Sequence, residues 1–271
     1  MIISSVNQLK RFNKHEGGRS MSYRNILYEI SERIAWITFN RPEKMNALTP
    51  EMLGEWKDAL LKAEADGDVG IIVVTGAGRA YCAGLDLTAV EAEGEGNGSV
   101  GDVFDIPGHA VIDTTMHLSK LVIAMVNGAC VTGGLETLLA FDLIVAADDA
   151  KFCDSHAARG LRPSWGMSQR LPRTVGIMRA RELSFTARFF LGKEAAEIGL
   201  VNRAVPREKL KEETIALANS ILDNSPGSIA AIKALYNRGW DMTLAEGIRM
   251  EAETYFEIND TNERLAKFLK K

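Results

Sequence analysis

The chain has 271 residues, of which 46% are hydrophobic and 25% are charged, and its formal net charge at pH 7 is −4. This composition predicts one large soluble domain, or a domain with a small appendage, and argues against a surface built mainly to bind nucleic acid or anionic lipid. Cys82, Cys130 and Cys153 are odd in number and lack the pair spacing of metal ligands. They favour a reducing, cytoplasmic compartment and predict neither a disulfide framework nor a bound metal.

The first 22 residues differ in character from the rest of the chain. They carry four basic side chains opposed only by Glu16, and they lack the apolar core of a secretory signal. We predict that residues 1–22 form a disordered tail or result from an over-extended start ahead of Met21, with a transit peptide as the alternative. No later apolar run reaches the roughly 18 residues of a membrane-spanning helix.

Short apolar, β-branched runs bounded by Gly, Pro, Asn or Asp predict buried strands along the first two hundred residues. These runs cover residues 34–39, 71–75, 121–126, 143–147 and 201–205. A helix is predicted to begin after Thr49, a favourable N-cap followed by Pro50, because Leu53, Trp56 and Leu60 recur at helical spacing. Strands and helices therefore alternate in this part of the chain, which is typical of an α/β core.

The sequence becomes mostly helical after about residue 160. Helices are predicted over 207–223, 228–240 and 244–271, with a short break around Asp241 between the last two. We therefore predict two regions, an α/β core over 23–205 and a helical C-terminal region over 206–271.

Residues 88–108, with the sequence TAVEAEGEGNGSVGDVFDIPG, fit neither a strand nor a helix pattern. The segment holds five glycines and several acids, a composition that buries too little apolar area to offset the entropy of ordering. We predict a long flexible loop, which is either a lid over a site or a surface insertion without a role.

Several catalytic patterns are absent from the sequence or incomplete. The stretch Gly76–Tyr81 begins like a dinucleotide-binding fingerprint, but Tyr81 occupies the third glycine position. No P-loop, nucleophile elbow or zinc-protease motif occurs. Asp154, Ser155 and His156 are residue types of a catalytic triad, but neighbouring side chains of an extended backbone point to opposite faces, so no relay among the three is expected.

The stretch VNGACVTGGLE, residues 126–136, places an acid beside a glycine pair. It follows a predicted strand and opens a predicted helix over 133–141, whose first amides have no intrahelical partner. Glycine lets a ligand oxygen approach closely, so the Gly133 N–H is suited to stabilise a developing enolate oxygen. Glu136 lies one turn further on the same face and could transfer a proton beside that oxygen. Alternatively, Glu136 accepts hydrogen bonds from the amides of its own helix.

Four stretches together resemble a known family. VNGACVTGGLE, GAGRAYCAGLDL (76–87), FNRPEKMNAL (39–48) and EAAEIGLVNRAVP (194–206) look like motifs of the crotonase superfamily, the enoyl-CoA hydratases and isomerases. They occur in the family order, and the resemblance spans about residues 24–271. It implies a spiral of ββα turns with a helical C-terminal region that builds trimers, commonly paired into hexamers. It also implies an acyl-CoA thioester as substrate, with no further cofactor.

The family pattern also implies roles for individual residues. The backbone N–H groups of Cys82 and Gly133 match the two oxyanion donors, and the Cys82 thiol has no expected role of its own. Trp165 matches the wall of the acyl pocket, although core packing is an equal reason for it. The segments that enclose CoA in the family match Lys44, Ala47, Leu48, Ala80, Ala83, Asp86 and Leu87. Lys44 could equally be a solvated surface lysine.

One position departs from the pattern of the two-glutamate hydratases. The second glutamate of that pattern lies twenty residues after the first, where this chain has His156. Imidazole accepts or donates a proton near neutral pH, so Glu136 and His156 are the predicted catalytic pair. Asp154 could orient the imidazole or replace it. The alternative is that His156 is a hydrogen-bonded wall residue and Glu136 is the sole base.

These residues support several functional hypotheses. The first is an enoyl-CoA hydratase that yields 3-hydroxyacyl-CoA, and the second is an isomerase that moves the double bond with Glu136 as its only base. A third is a non-catalytic scaffold that binds acyl-CoA. Hydrolysis of a carbon–carbon bond in a diketone, seen on this fold with a His and an Asp, is a further alternative.

Overall fold

Two β-sheets form the core of the protein in the computed structural model, which describes residues 19–86, 88 and 98–270. The larger sheet has the strand order β1-β2-β3-β4-β6-β8-β11, and the smaller one has the order β10-β9-β7-β5. The strands of the larger sheet are β1 Arg19–Ser22, β2 Ile26–Ser31, β3 Ile34–Phe39, β4 Ile71–Gly76, β6 Leu121–Val126, β8 Leu143–Ala147 and β11 Arg203–Val205. The strands of the smaller sheet are β5 Ala80–Cys82, β7 Ala129–Val131, β9 Lys151–Cys153 and β10 Phe190–Leu191.

The helices lie between these strands and after them. They are α1 Pro50–Ala65, α2 Asp102–His117, α3 Gly133–Leu138, α4 His156–Arg159, α5 Met167–Val175, α6 Ile177–Thr186, α7 Gly192–Glu197, α8 Leu210–Leu222, α9 Pro226–Gly239, α10 Leu244–Glu253 and α11 Thr261–Leu269. Short 3₁₀ turns occur at Pro42–Lys44 and Arg207–Lys209. No helix in the described part of the chain is both long and apolar enough to span a bilayer.

The centre of the larger sheet is parallel. β3, β4, β6, β8 and β11 are paired in parallel, whereas β1 and β2 add to its edge as antiparallel strands. All six residues of β4 are buried, which accounts for the unbroken apolar run over 71–74, because a central parallel strand is covered on both faces. The strands predicted at 34–39, 71–75, 121–126 and 143–147 are confirmed, and the one predicted at 201–205 is reduced to its last three residues.

Three consecutive units repeat the same order of elements. Each unit has one strand in the larger sheet, the next strand in the smaller sheet and then a helix, as in β4-β5-α2, β6-β7-α3 and β8-β9-α4. This is the spiral of ββα turns that the family resemblance implies. β5, β7 and β9 lie side by side in parallel, so their carboxyl ends meet at one edge of the smaller sheet.

The first predicted helix is confirmed in position and in the face it buries. The Thr49 hydroxyl accepts a hydrogen bond from the Met52 amide at 3.2 Å and caps α1. Leu53, Trp56 and Leu60 are fully buried in the core.

The predicted loop over 88–108 is wrong at its C-terminal end, where α2 begins at Asp102. Phe104, Val111 and Ile112 lie on the buried side of this helix, and this apolar stripe outweighs the glycines and Pro107 that favoured a loop. Residues 89–97 of the predicted loop lie outside the described residues.

The predicted termini of the chain need two corrections. Residues 19–22, assigned by sequence to the tail, form β1 and pair with β2, while residues 1–18 lie outside the described residues. The single helix predicted over 244–271 is two helices, α10 and α11, separated by residues 254–260. Thr243 and Glu246 form a capping box at the start of α10, which explains why its beginning was predictable and its early end was not.

Candidate active site

Glu136 lies in a fully buried helix, and its carboxylate is held by a different part of the chain. Its Oε1 accepts hydrogen bonds from the backbone amides of Trp165 at 3.0 Å and Met167 at 3.2 Å. The Glu136 side chain therefore does not cap its own helix, which was the alternative left by the sequence. Its second oxygen, Oε2, remains directed at another partner.

That partner is His156, the first residue of α4. Its Nε2 lies 3.4 Å from Glu136 Oε2, and its Nδ1 lies 2.7 Å from Asp154 Oδ1. Glu136, His156 and Asp154 are 3%, 6% and 1% exposed, respectively. The three side chains form a buried row in which one imidazole bridges two carboxylates.

Electrostatics within this row favour a protonated imidazole. Burial alone would lower the pKa of His156, but the hydrogen bonds to Asp154 and Glu136 outweigh it and raise the pKa to about 9. Burial raises the pKa of Asp154, but its hydrogen bonds, chiefly those from His156, and the charge of the imidazole together outweigh burial, so this pKa is lowered from its ordinary value. At neutral pH the row therefore carries an imidazolium beside an ionised Asp154.

The sequence predicts no relay among residues 154–156 but allows Asp154 to orient the imidazole, and the structure shows that contact. The Ser155 hydroxyl is hydrogen-bonded to the Thr132 hydroxyl. Asp154 and His156 interact because β9 ends at Cys153 and α4 begins at His156, so the backbone between them is not extended.

The two expected oxyanion donors lie at the shared edge of the smaller sheet. β5 ends at Cys82, and α3 begins at Gly133 just after β7. A Cβ atom built on Gly134 would lie 2.6 Å from the Cys82 carbonyl oxygen, so only glycine allows the two segments to come this close. Burial raises the pKa of the Cys82 thiol to about 12, which makes the side chain unreactive.

Thr132 has an unusual backbone conformation between β7 and α3. Its φ is +47° and its ψ is −105°, in a region that residues with a side chain rarely adopt. The backbone amide donates to the Cys153 carbonyl at 2.9 Å, and its hydroxyl accepts a hydrogen bond from the Ser155 amide at 3.1 Å. These hydrogen bonds to the next ββα unit fix the backbone of Thr132, and they thereby fix the position of the Gly133 amide that follows it in the chain.

A cavity opens beside these groups. It measures about 80 Å³, several times the 10–15 Å³ that one water requires. Glu136 and His156 contribute to its wall together with Gly133, Ala83 and Trp165, whereas Cys82 adjoins the cavity only through its neighbour in the chain. The remaining lining residues are Gly84, Leu85, Val100, Val131, Thr132, Ser155, Arg159, Leu161 and Ser164.

The residues expected to enclose CoA form two adjacent chain segments. Leu48 donates its amide to the Gly84 carbonyl at 2.8 Å, and the Asp86 amide donates to the Leu48 carbonyl at 2.9 Å. The Asp86 carboxylate also accepts from Arg41 at 2.9 Å. Lys44 is exposed on a 3₁₀ turn. Ala47, Leu48 and Ala80 are buried, Ala83 is partly buried, and Leu87 lies outside the described residues.

Sequence reasoning missed the main-chain groups that hold Glu136. The amides of Trp165 and Met167 flank Gly166, whose φ of +99° turns the chain so that both reach one oxygen. Any residue other than proline supplies a backbone N–H, so the residue types at 165 and 167 did not indicate this role. The pair Trp165–Gly166 was the one local feature that pointed to a turn here. Trp165 lines the cavity and is 2% exposed, so its position is compatible with both the pocket wall and the core packing that the sequence suggested.

Comparisons with known proteins identify the family to which the chain belongs. Residues 29–271 match the family model described as enoyl-CoA hydratase/isomerase. The chain is 32% identical over 255 residues to the short-chain-enoyl-CoA hydratase of Clostridium acetobutylicum, covering 93% of this chain and 97% of that protein. It is 34% identical over 261 residues to the crotonyl-CoA hydratase of Syntrophomonas wolfei, with the same shares covered. A crystal structure of enoyl-CoA hydratase from Bacillus anthracis superposes with a TM-score of 0.84 at 30% identity, covering 91% of this chain and 96% of that one.

Proposed function

Because the chain belongs to the enoyl-CoA hydratase/isomerase family within the crotonase superfamily, we propose that it adds water to a 2-enoyl-CoA thioester to give 3-hydroxyacyl-CoA. The observation that carries this proposal is the pairing of Glu136 with His156 at 3.4 Å in the wall of the cavity. Hydration requires a base for water and an acid for carbon, and this pair supplies both.

In the proposed reaction, a water in the cavity loses a proton to Glu136 while its oxygen bonds to C3 of the enoyl group. The electrons of the double bond move into the thioester, whose oxygen is stabilised by the N–H groups of Cys82 and Gly133. The enolate then collects a proton at C2 from the imidazolium of His156. Transfer of a proton from Glu136 to His156 restores both groups, so the net change is the addition of one water.

Asp154 supports the acid in this mechanism. Its hydrogen bond to Nδ1 at 2.7 Å leaves Nε2 as the nitrogen that faces Glu136 and the cavity. We assign Asp154 to orienting the imidazole rather than replacing it, because the imidazole separates its carboxylate from Glu136.

The CoA portion of the substrate is proposed to lie along the segments that contain Lys44, Ala47, Leu48 and Ala80, together with Ala83, Asp86 and Leu87. The hydrogen bonds between these segments join them into one rim near Ala83 and Gly84 of the cavity. Ala47, Leu48 and Ala80 are buried, so they would contribute shape and main-chain contacts. The reaction needs no cofactor, and the three free, buried cysteines suit a cytoplasmic enzyme.

A panel of CoA esters tests the reaction. We expect hydration of crotonyl-CoA, measured as loss of the conjugated enoyl absorbance and appearance of 3-hydroxybutyryl-CoA. A 3-enoyl-CoA of the same length should react much more slowly, because the site would first have to shift its double bond. Preferred turnover of the 3-enoyl ester would instead identify an isomerase. Binding of CoA esters without turnover would identify a scaffold.

We also propose that the chain forms a homotrimer, or a hexamer of two trimers. Leu244, Tyr255 and Phe268 of the C-terminal region are 81%, 87% and 75% exposed in the single chain, and large apolar groups of this kind are typical of subunit contacts. Light scattering should therefore give about three or six times the chain mass of 29.7 kDa. A mass near that of one chain would contradict the assembly.

A further inference from the structure

One side of α2 contacts the turn that holds Glu136. Asp105 Oδ1 accepts hydrogen bonds from the Ser164 hydroxyl at 2.7 Å and from the Trp165 indole N–H at 3.0 Å. One turn later, His109 Nε2 lies 2.7 Å from the Ser164 carbonyl oxygen. A Cβ atom on Gly108 would lie 2.2 Å from the Trp165 ring, so the indole lies directly against the helix backbone.

The same turn presents the two amides that bind the base. Trp165 donates its indole N–H to Asp105 and its backbone N–H to Glu136 Oε1. Its carbonyl accepts from Arg170 at 2.9 Å. The position of the Trp165 backbone is therefore defined from several sides, and Asp105 is the carboxylate that fixes both the indole and the preceding residue.

We propose that Asp105 is a positioning residue for Glu136. By holding Ser164 and Trp165, it keeps both backbone amides on Oε1 and leaves Oε2 directed at His156. Asp105 does not line the cavity, so its effect on the reaction would pass through the turn rather than through contact with substrate. This inference rests on the proposed hydratase function, in which Glu136 must receive a proton from water in a defined orientation.

The proposal predicts a selective loss of turnover in Asp105→Ala. A catalytic group misplaced by about 1 Å can lose about 100-fold in rate. We therefore expect kcat for crotonyl-CoA to fall by up to about that factor while KM changes less than about threefold. Asp105→Asn keeps an oxygen that accepts from both donors, so it should recover most of kcat. Ser164→Ala removes one of the two donors and should give an intermediate loss, which provides a milder variant if Asp105→Ala folds poorly.

The decisive measurement is a double-mutant cycle with Glu136→Gln. If Asp105 acts through the base, Asp105→Ala should cause little further loss of kcat once Glu136 is removed. A loss of the same factor in both backgrounds would overturn the proposal, as would a kcat near wild type in Asp105→Ala. Asp113→Ala is the matched control, because Asp113 is on the same helix, 74% exposed and paired with His117 at the surface.

The wild-type protein separates this inference from the proposed function. If the wild type hydrates crotonyl-CoA and the Asp105→Ala variant does so with the same kcat, only the positioning role of Asp105 is rejected. Failure of wild type to hydrate any enoyl-CoA would reject the hydratase function itself, whatever the variants do.

Discussion

Glu136→Gln is expected to lower kcat for enoyl-CoA hydration by about 10²–10⁴-fold, the range of a positioned general base. The substitution conserves the shape of the side chain, and its carbonyl oxygen can still accept from the Trp165 and Met167 amides. What it removes is the carboxylate oxygen that faces His156 and that takes the proton from water in the proposed mechanism. Because the fold and cavity are retained, binding of the 3-hydroxyacyl-CoA product should change only a few-fold.

Steady-state kinetics with crotonyl-CoA and product binding by calorimetry measure these two effects separately. Glu197→Gln on the exposed side of α7 is a suitable control for the same chemical change. A Glu136→Gln variant with nearly the wild-type rate would show that another group activates the water. A joint loss of turnover, binding and thermal stability would instead indicate that Glu136 supports the fold.

His156→Gln should reduce hydration by a similar factor and should also change the pH dependence. In the wild type, the imidazolium is the proposed acid and its pKa is raised to about 9 by Asp154 and Glu136, against the opposing effect of burial. The rate should therefore hold below this value and decline as pH rises through it. The variant has no titrating group at this position and should lose the alkaline decline along with most of the rate.

A pH profile of kcat/KM for crotonyl-CoA tests the prediction, and His117→Gln is the control because His117 lies on the surface of α2. Retention of the alkaline decline in His156→Gln would assign that decline to another group.

The raised pKa of His156 also has a consequence for the stability of the fold. A histidine whose pKa is higher in the folded than in the unfolded state contributes its full stabilisation of the fold at pH values below the unfolded pKa of about 6.5. For His156 this contribution is lost as the pH rises through the folded pKa of about 9.

Much of the fold follows from local pattern. The strands at 34–39 and 121–126 were predictable because they are continuous apolar runs, and α1 was predictable because Thr49 caps a regular apolar stripe. The start of α2 could not be predicted, because the glycines and Pro107 in this segment have low helix propensity. The helix is instead stabilised by tertiary contacts, which include those of the buried Phe104 and of Trp165 against Gly108.

The candidate site shows the same division. Glu136 and His156 could be proposed from the sequence as a catalytic pair because their side chains carry acid–base chemistry. The structure places their facing atoms 3.4 Å apart, and their catalytic role stays a prediction. The amides of residues 165 and 167 were not predictable, since any residue can supply one. Asp105 was placed in a predicted loop, so nothing in the sequence linked it to Trp165, which lies 60 positions later in the chain. Its connection to Glu136 runs only through the turn that contains Trp165.

The shared edge of β5, β7 and β9 has a consequence for how new reactions could arise on this scaffold. The first two strand ends are proposed to contribute main-chain groups, from Cys82 and Gly133, which persist under most side-chain exchanges. The third strand end contributes side chains, from Asp154 and His156. Substitution of these two side chains would replace the proposed proton donor and would leave in place the main-chain N–H groups proposed to bind the thioester oxygen. Changes at the end of one strand could therefore change the reaction that the enzyme catalyses.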